Sequence, residues 1–432
     1  MRPPSDAYAV GRAPLRSRVI ERTPFFYGWV VLAAGTFGMM MTTPGQTLGV
    51  SVFLDKIIAD LGVSRSLVSL LYTVGTVTGS FVLPFVGRFI DRRGPRLAVG
   101  LIAALFALAC GYMGLVRNLA MLLVGFVLVR GLGQGSLSLV SQHVVNLWFV
   151  RKRGLAVGLT GLGMAAATAF FPMLIESMIG SYGWREAYVL LGLLVAITIL
   201  PVGALLFRAR PESFGLAPDG GAGLAGSVMP LEGVREVDYT LADARRTRTF
   251  WLFVAGNTLV SALTTGLIFH HFSIMAAGGL DRAVAARVFV PFGAVTAAAN
   301  LAAGALMDRI PPRLLLAAML VAQAASLVLA AVVAPGLVLL YGALLGATMG
   351  IKGGVQGAVF AYYFGRKHLG AVKGTASTIG VVGTAAGPLL FALTRAAGGS
   401  YAPVLFASAL VALVLAVVSA LLRPFRPDGS VA

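Results

Sequence analysis

The chain has 432 residues, of which 58% are hydrophobic and only 12% charged, with a mean hydropathy of +0.89 and a formal net charge of +18. A soluble domain carries about a quarter charged residues, so this composition excludes a protein whose main solvent is water. The surplus of positive charge has to be explained in a hydrocarbon setting.

In chain order, a basic segment of 26 residues leads into twelve apolar runs, at roughly 27–51, 66–89, 97–116, 119–147, 154–178, 186–207, 250–275, 285–307, 314–333, 337–363, 373–394 and 402–422. Runs of this kind cross about 30 Å of hydrocarbon. They are expected to be helices, because a backbone facing lipid must satisfy its own hydrogen bonds. The leading segment is not followed by the short apolar core and small-residue cleavage site of a signal peptide. Between the sixth and seventh runs lies a stretch rich in Gly, Pro and charge, including RARPESFGLAPDGGAGLAGS, which reads as a linker. The expectation is an all-α polytopic membrane protein with twelve transmembrane helices in two pseudo-symmetric six-helix bundles. Its parts are an N-terminal segment (1–26), a first bundle (27–207), a linker (208–249), a second bundle (250–422) and a tail (423–432).

With the N-terminus inside, the inner connections and both ends hold 25 of the 34 Lys and Arg residues, and the outer connections hold 7. This is the positive-inside pattern. It places both termini in the cytoplasm and accounts for the basic charge without a nucleic-acid partner. The two remaining cations, Arg130 and Lys352, fall inside the fourth and tenth runs. The single cysteine, Cys110, lies in an apolar run and reads as a small core residue.

The second run is followed by GRFIDRRGPR (Gly87–Arg96) and the eighth by GALMDRIPPR (Gly304–Arg313), with Asp91 and Asp308 217 residues apart. LWFVRKRGLAVG (Leu147–Gly158) and YYFGRKHLGAVKG (Tyr362–Gly374) recur at nearly the same offset. Two matches at one offset indicate an internal repeat. Paired six-helix halves with a site between them are a transporter architecture.

GRFIDRRGPR resembles the helix 2–3 signature of the major facilitator superfamily, Gly-x-x-x-Asp-Arg-x-Gly followed by basic residues. RGLGQG (Arg130–Gly135) resembles its helix 4 signature, and SYGWREAY (Ser181–Tyr188) its helix 5–6 turn. FFYGWVV (Phe25–Val31) with LGVSRSLVSLLYTVG (Leu61–Gly75) looks like the monocarboxylate porters and oxalate/formate antiporters of that superfamily. Those carriers tend to place an Arg eight residues before the helix 8–9 aspartate, where this chain has Asn300. The resemblance implies that the charged turns form a latch that bridges the halves and closes the cytoplasmic side. Gly87 is expected to let helix 2 approach a neighbour closely. Asp91 is expected to accept hydrogen bonds at helix ends, surrounded by Arg92, Arg93 and Arg96, with Asp308 and Arg309 as a weaker counterpart. The alternative is that these charges only anchor topology.

Runs 3, 6, 9 and 12 are plain, Gln323 in run 9 being an exception, and suit contact with lipid. Runs 1, 4, 7 and 10 carry polar stripes: Thr36, Thr43 and Thr47; Arg130, Gln134, Ser138 and Ser141; Asn257, Ser261, Thr264 and Thr265; Lys352 and Gln356. These stripes are expected to converge on a central aqueous cavity, the alternative for single Ser and Thr residues being a bond back to their own helix. Arg130 and Lys352 each lie about 16 Å from the nearer helix end, where one charge costs roughly 2.5–3.5 kcal/mol. Together with Gln134, Gln356, Asn300, Asn257 and Thr264 they are the candidate substrate-binding residues. All sixteen Asp and Glu fall in loops or near helix ends, Glu176 coming closest to a run interior. Cations without buried carboxylates suit an anionic substrate, which a guanidinium or an ammonium can hold.

No phosphate-binding G-x-x-x-x-G-K-[ST] stretch is present, so coupling to an ion gradient or to exchange is expected, with no cofactor and no metal. His270 and His271 are candidates for carrying a proton near neutral pH; alternatively they are polar residues at the membrane interface. The favoured reading is a monomeric secondary transporter of a small organic anion, working by alternating access in a bacterial inner membrane. An exporter of neutral or amphipathic compounds is the first rival. A membrane enzyme or a non-transporting sensor is the second; the enzyme would need a metal-spaced cluster or a nucleophile–base set, and the sensor a folded cytoplasmic domain.

Overall fold

The computed structural model describes residues 17–149, 153–220, 239–307, 309–332, 334–364 and 369–422. The expected tail, most of the N-terminal segment, part of the linker and Asp308 lie outside the described residues, as does the side chain of Asp91. The described chain is helical, with no strand. Helix α1 covers 28–61 in three pieces, Gly28–Met40, the tight turn Thr43–Gly45 and Thr47–Leu61. Helix α2 has two pieces, Arg65–Ser80 and Leu83–Arg93. Then follow α3 (Pro95–Gly114), α4 (Leu119–Trp148), α5 (Arg153–Tyr182) and α6 (Trp184–Leu206). The second half holds α7 (Arg248–Ala277), α8 (Arg282–Leu306), α9 (Pro312–Ala331), α10 (Val338–Phe364), α11 (Leu369–Gly398) and α12 (Ala402–Leu421).

Local chemistry explains the ends. Ser64, Asn118, Thr247 and Asp281 each accept a hydrogen bond from the backbone N–H three residues on, closing the first turns of α2, α4, α7 and α8. Gly62, at φ 64°, ends α1 in the left-handed conformation that a side chain would resist. Pro44 sits in the break of α1 and removes a backbone donor there. The Thr42 and Thr43 hydroxyls donate to the carbonyls of Met39 (2.7 Å) and Met40 (2.6 Å), so the broken helix keeps its acceptors paired. The first run was expected to end near 51. The helix instead continues to Leu61, because Asp55, Lys56 and Asp60 end the apolar stretch without breaking the helix.

Three principal pairings of the first six helices recur in the last six. Thus α1 packs on α5 as α7 does on α11, α2 on α4 as α8 on α10, and α3 on α6 as α9 on α12. The halves meet through α5 with α8, α2 with α11, and α1 with α7. Glycines make the closest approaches. A Cβ on Gly79 would press on the backbone of α4 at Gly131, and one on Gly387 would collide with the Ala262 carbonyl of α7. The plain helices α3, α6, α9 and α12 stand outermost, with Leu108, Ile197 and Leu421 among their exposed side chains. Cys110 is buried in the first bundle.

The connections α1–α2, α3–α4, α5–α6 and so on lie at one end of the bundle, here termed the odd face; the others lie at the even face. The hydrogen bonds and ion pairs described between the halves gather toward the odd face. Thr73 donates to the Ala385 carbonyl (2.8 Å), Ser66 to that of Ala392 (3.3 Å), and Arg282 to groups on α1 and α5.

Candidate functional site

Between the halves lies a cavity of about 420 Å³. Its polar wall comprises Thr43, Gln46 and Thr47 of α1, Gln134 of α4, Thr168 of α5, Ser261, Thr264 and Thr265 of α7, Thr296 and Asn300 of α8, Lys352 of α10 and Thr384 of α11. Ile268, Phe292 and Met349, each about one turn nearer the odd face, add an apolar ceiling. Helices α1, α4, α7 and α10, singled out by their polar stripes, all contribute. So do α5, α8 and α11, which were not singled out.

Lys352 is the one charged residue on the described wall. Its Nζ donates to the Ser261 hydroxyl (2.8 Å), which donates in turn to the Asn257 carbonyl (2.6 Å). None of the described ion pairs includes it. The ammonium therefore has two donors to offer a ligand and no described carboxylate to hold it back. Asn300 of α8 lines the same cavity and packs against Gly353, the chain neighbour of Lys352. It has room because Gly353 carries no side chain; a Cβ there would collide with the Asn300 amide nitrogen. Gln134 presents a buried Oε1 with no hydrogen-bond partner among the described residues. Thr264 also lines the cavity, with its hydroxyl donated to Oε1 of the buried Gln323 on α9 (2.7 Å). That bond gives the polar exception in a plain helix its reason.

Three candidates stand elsewhere. Asn257 is buried behind Ser261, its Nδ2 bonded to the Phe253 carbonyl (2.9 Å). Gln356 sits one turn beyond Lys352 and is not part of the wall. Arg130, only 3% exposed, is also absent from the wall. Its Nε donates to Thr76 (2.9 Å) and its Nη1 to the Gly45 carbonyl (3.0 Å), and the guanidinium lies over the Tyr72 ring. The reason is local. Over Arg130–Leu137 the helix widens to a π-turn whose glycines admit Gly45 and Gly79 closely. The buried arginine there serves the carbonyl freed by the break in α1, leaving Nη2 alone without a described partner.

His270 and His271 are fully buried. His270 Nε2 is 2.8 Å from the Pro388 carbonyl of α11 and its Nδ1 is 3.3 Å from the Tyr401 hydroxyl. His271 Nε2 is 2.9 Å from the Ala285 carbonyl at the start of α8, with Tyr341 of α10 opposite. Each ring thus ties α7 to its neighbours within the second bundle, outside the cavity wall.

At the even face the expected latch is described only in part, since Asp308 and the side chain of Asp91 lie outside the described residues. Gly87 makes no close approach: a Cβ there would meet nothing within 4 Å. Arg92 and Arg309 are exposed.

The odd face holds a constellation that the sequence reading did not assign. Arg282 of α8 donates through Nε and Nη2 to both Glu176 oxygens of α5 (2.8 and 3.0 Å), through Nη1 to Asp55 of α1 (3.0 Å), and through Nη2 to the Val52 carbonyl (2.6 Å). Arg65 also pairs with Asp55. Beside this clamp Arg185 is bidentate to Asp60 and holds that exposed carboxyl, beyond the apolar part of α1, below the usual carboxylate range. The available signal was Glu176, the acid nearest a run interior.

Two pseudo-symmetric bundles around a polar cavity, clamped at one face by charges from both, define a polytopic helical membrane fold. A profile of the Major Facilitator Superfamily matches residues 30–289, and the chain belongs to that superfamily. It is 26% identical over 224 residues to an oxalate:formate antiporter of Oxalobacter formigenes, covering 52% of this chain and 50% of that one. It is 26% identical over 196 residues to monocarboxylate transporter 14 of Mus musculus, covering 44% and 38%. To a probable L-galactonate transporter of Escherichia coli (strain K12) it is 28% identical over 205 residues, covering 46% and 43%. The chain thus spans half or less of the length of these curated relatives. A bacterial homolog of the human lysosomal transporter Spinster, solved inward-facing and unoccupied, superposes with a TM-score of 0.68 at 18% identity over 91% of this chain and 95% of that one. This likeness shows the fold.

Proposed function

We propose that the protein is a secondary active transporter that moves a small organic anion by alternating access, as a monomer, across a bacterial inner membrane with both termini in the cytoplasm. The observation that carries the reading is Lys352, a cation on the cavity wall whose described partner is a serine hydroxyl and not a carboxylate. In this reading the even face is cytoplasmic and the structure is the inward-open state, closed outside by the Arg282 clamp. Lys352 holds the carboxylate of the cargo, with Ser261, Asn300 and Gln134 as neutral partners. Relatives named for oxalate and formate, for monocarboxylates and for L-galactonate support an organic acid. Asp91 and Asp308, with Arg92 and Arg309, form the latch of the opposite, outward-open state. With both histidines bonded inside the second bundle, exchange of one anion for another is the simplest coupling, and proton symport with the acid is the alternative.

The test is uptake by purified protein in liposomes of labelled short-chain carboxylates, with and without a pH gradient and with and without an internal anion. Lys352→Gln removes a charge-assisted hydrogen bond worth about 1.5–3 kcal/mol, so carboxylate affinity falls roughly 10- to 100-fold. Carboxylate transport by that variant equal to wild type refutes the assignment and favours neutral or amphipathic cargo.

A further inference from the structure

The outer groove between α3 and α6 is built differently at its two ends. At the odd face it opens into a hollow of about 410 Å³ bordered by Tyr182, Arg185, Glu186 and Val189. Acids outnumber the cation there: Arg185 is bidentate to Asp60, and Glu186 adds a second carboxylate. At the even face the hollow is about 580 Å³, bordered by Arg93, Arg96, Leu97, Gly100, Leu101 and Ala204. Neither Arg93 nor Arg96 takes part in a described ion pair. A third cation, Arg208, follows the end of α6 with its Nη1 bonded to the Phe207 carbonyl (2.9 Å), close enough to Arg96 for the two charges to oppose each other. Gly100 leaves the floor of the groove open, a Cβ there meeting nothing within 4 Å. From the arginines toward mid-membrane, the exposed side chains of Leu97, Leu101, Leu105 and Leu108 form one stripe, about 16 Å long at 1.5 Å per residue.

We propose that this is a binding site for an anionic phospholipid, its phosphate held between Arg93 and Arg96 and one acyl chain lying along the leucine stripe of α3. Any bilayer lipid covers exposed leucines. What selects the anionic headgroup is a set of arginines without described carboxylates, at the head of an open apolar groove. Guanidinium and phosphate match in charge and geometry, and each basic residue near the membrane surface is worth about a fivefold gain in affinity for anionic lipid. A free phosphate would satisfy the arginines and leave the groove unused. The site faces lipid, away from the central cavity, so it stands independently of the cargo.

The experiment is native mass spectrometry of the full chain released from nanodiscs of equal phosphatidylglycerol and phosphatidylethanolamine. The wild type is expected to retain phosphatidylglycerol severalfold over phosphatidylethanolamine. An Arg93→Gln/Arg96→Gln variant loses that preference, while Arg117→Gln, an exposed arginine at the odd face, keeps it. Equal retention of the two lipids by the wild type overturns the proposal, and this arm needs no variant to fold. Displacement of the retained lipid by millimolar inorganic phosphate also overturns it, in favour of a free-anion site. Loss of the preference in Arg117→Gln as well assigns it to overall charge and overturns it too.

Discussion

The clamp at the odd face makes a quantitative prediction about which way the carrier is open. Arg282 reaches from the second bundle to two carboxylates and a carbonyl of the first, with four donor contacts of 2.6–3.0 Å. The three charged side chains are 19–27% exposed, so the pairs are neither dry nor fully screened. Taking about 1 kcal/mol for each of the two ion pairs, the upper end of the exposed range, Arg282→Gln weakens closure by about 2 kcal/mol. That is roughly a 30-fold change in the ratio of closed to open, so an odd face closed 99% of the time becomes about three-quarters closed. The measurement is a spin-label distance across the odd face, with labels at Arg117 on the α3–α4 connection and Gly336 on the α9–α10 connection, in a Cys110→Ser background. The variant is expected to show a second, longer distance that the wild type lacks. If the two distance distributions coincide, the clamp contributes nothing to closure and the reasoning fails.

Three further outcomes follow from the packing. Gly387→Ala forces a Cβ into the Ala262 carbonyl and is expected to cost about 1–3 kcal/mol, read as a lower Tm in detergent, while Gly87→Ala, with open space around it, leaves Tm unchanged. His271→Ala strands the buried Ala285 carbonyl at a cost of about 1–3 kcal/mol, so stability falls and the pH profile of transport keeps its shape; a shifted profile at unchanged Tm would instead mark a proton carrier. Asp91→Asn is expected to slow transport while membrane insertion, followed by surface labelling, stays at the wild-type level; full transport by this variant removes the latch.

Much of the architecture was legible because membrane helices obey local rules. Apolar length marks the spans, and a repeated charged turn announces two halves. Even the polar stripes of α1, α4, α7 and α10 pointed to the cavity, since a stripe that cannot face lipid must face inward. Lys352, Asn300, Gln134 and Thr264 line that cavity.

What the chain's order could not settle is which partner each polar side chain meets. Arg130 and Lys352 look alike in sequence, two lone cations at mid-span. Only the fold shows that one is occupied by the carbonyl freed where Pro44 breaks α1, while the other opens onto the cavity. Likewise Asp55, Glu176 and Arg282 lie far apart along the chain, and their convergence exists only once α1, α5 and α8 meet at one face. The spans follow from transfer of each segment between water and lipid, a sum over local residues. Charge pairing depends on distances of a few ångströms between segments hundreds of residues apart, and those are set by how the helices pack.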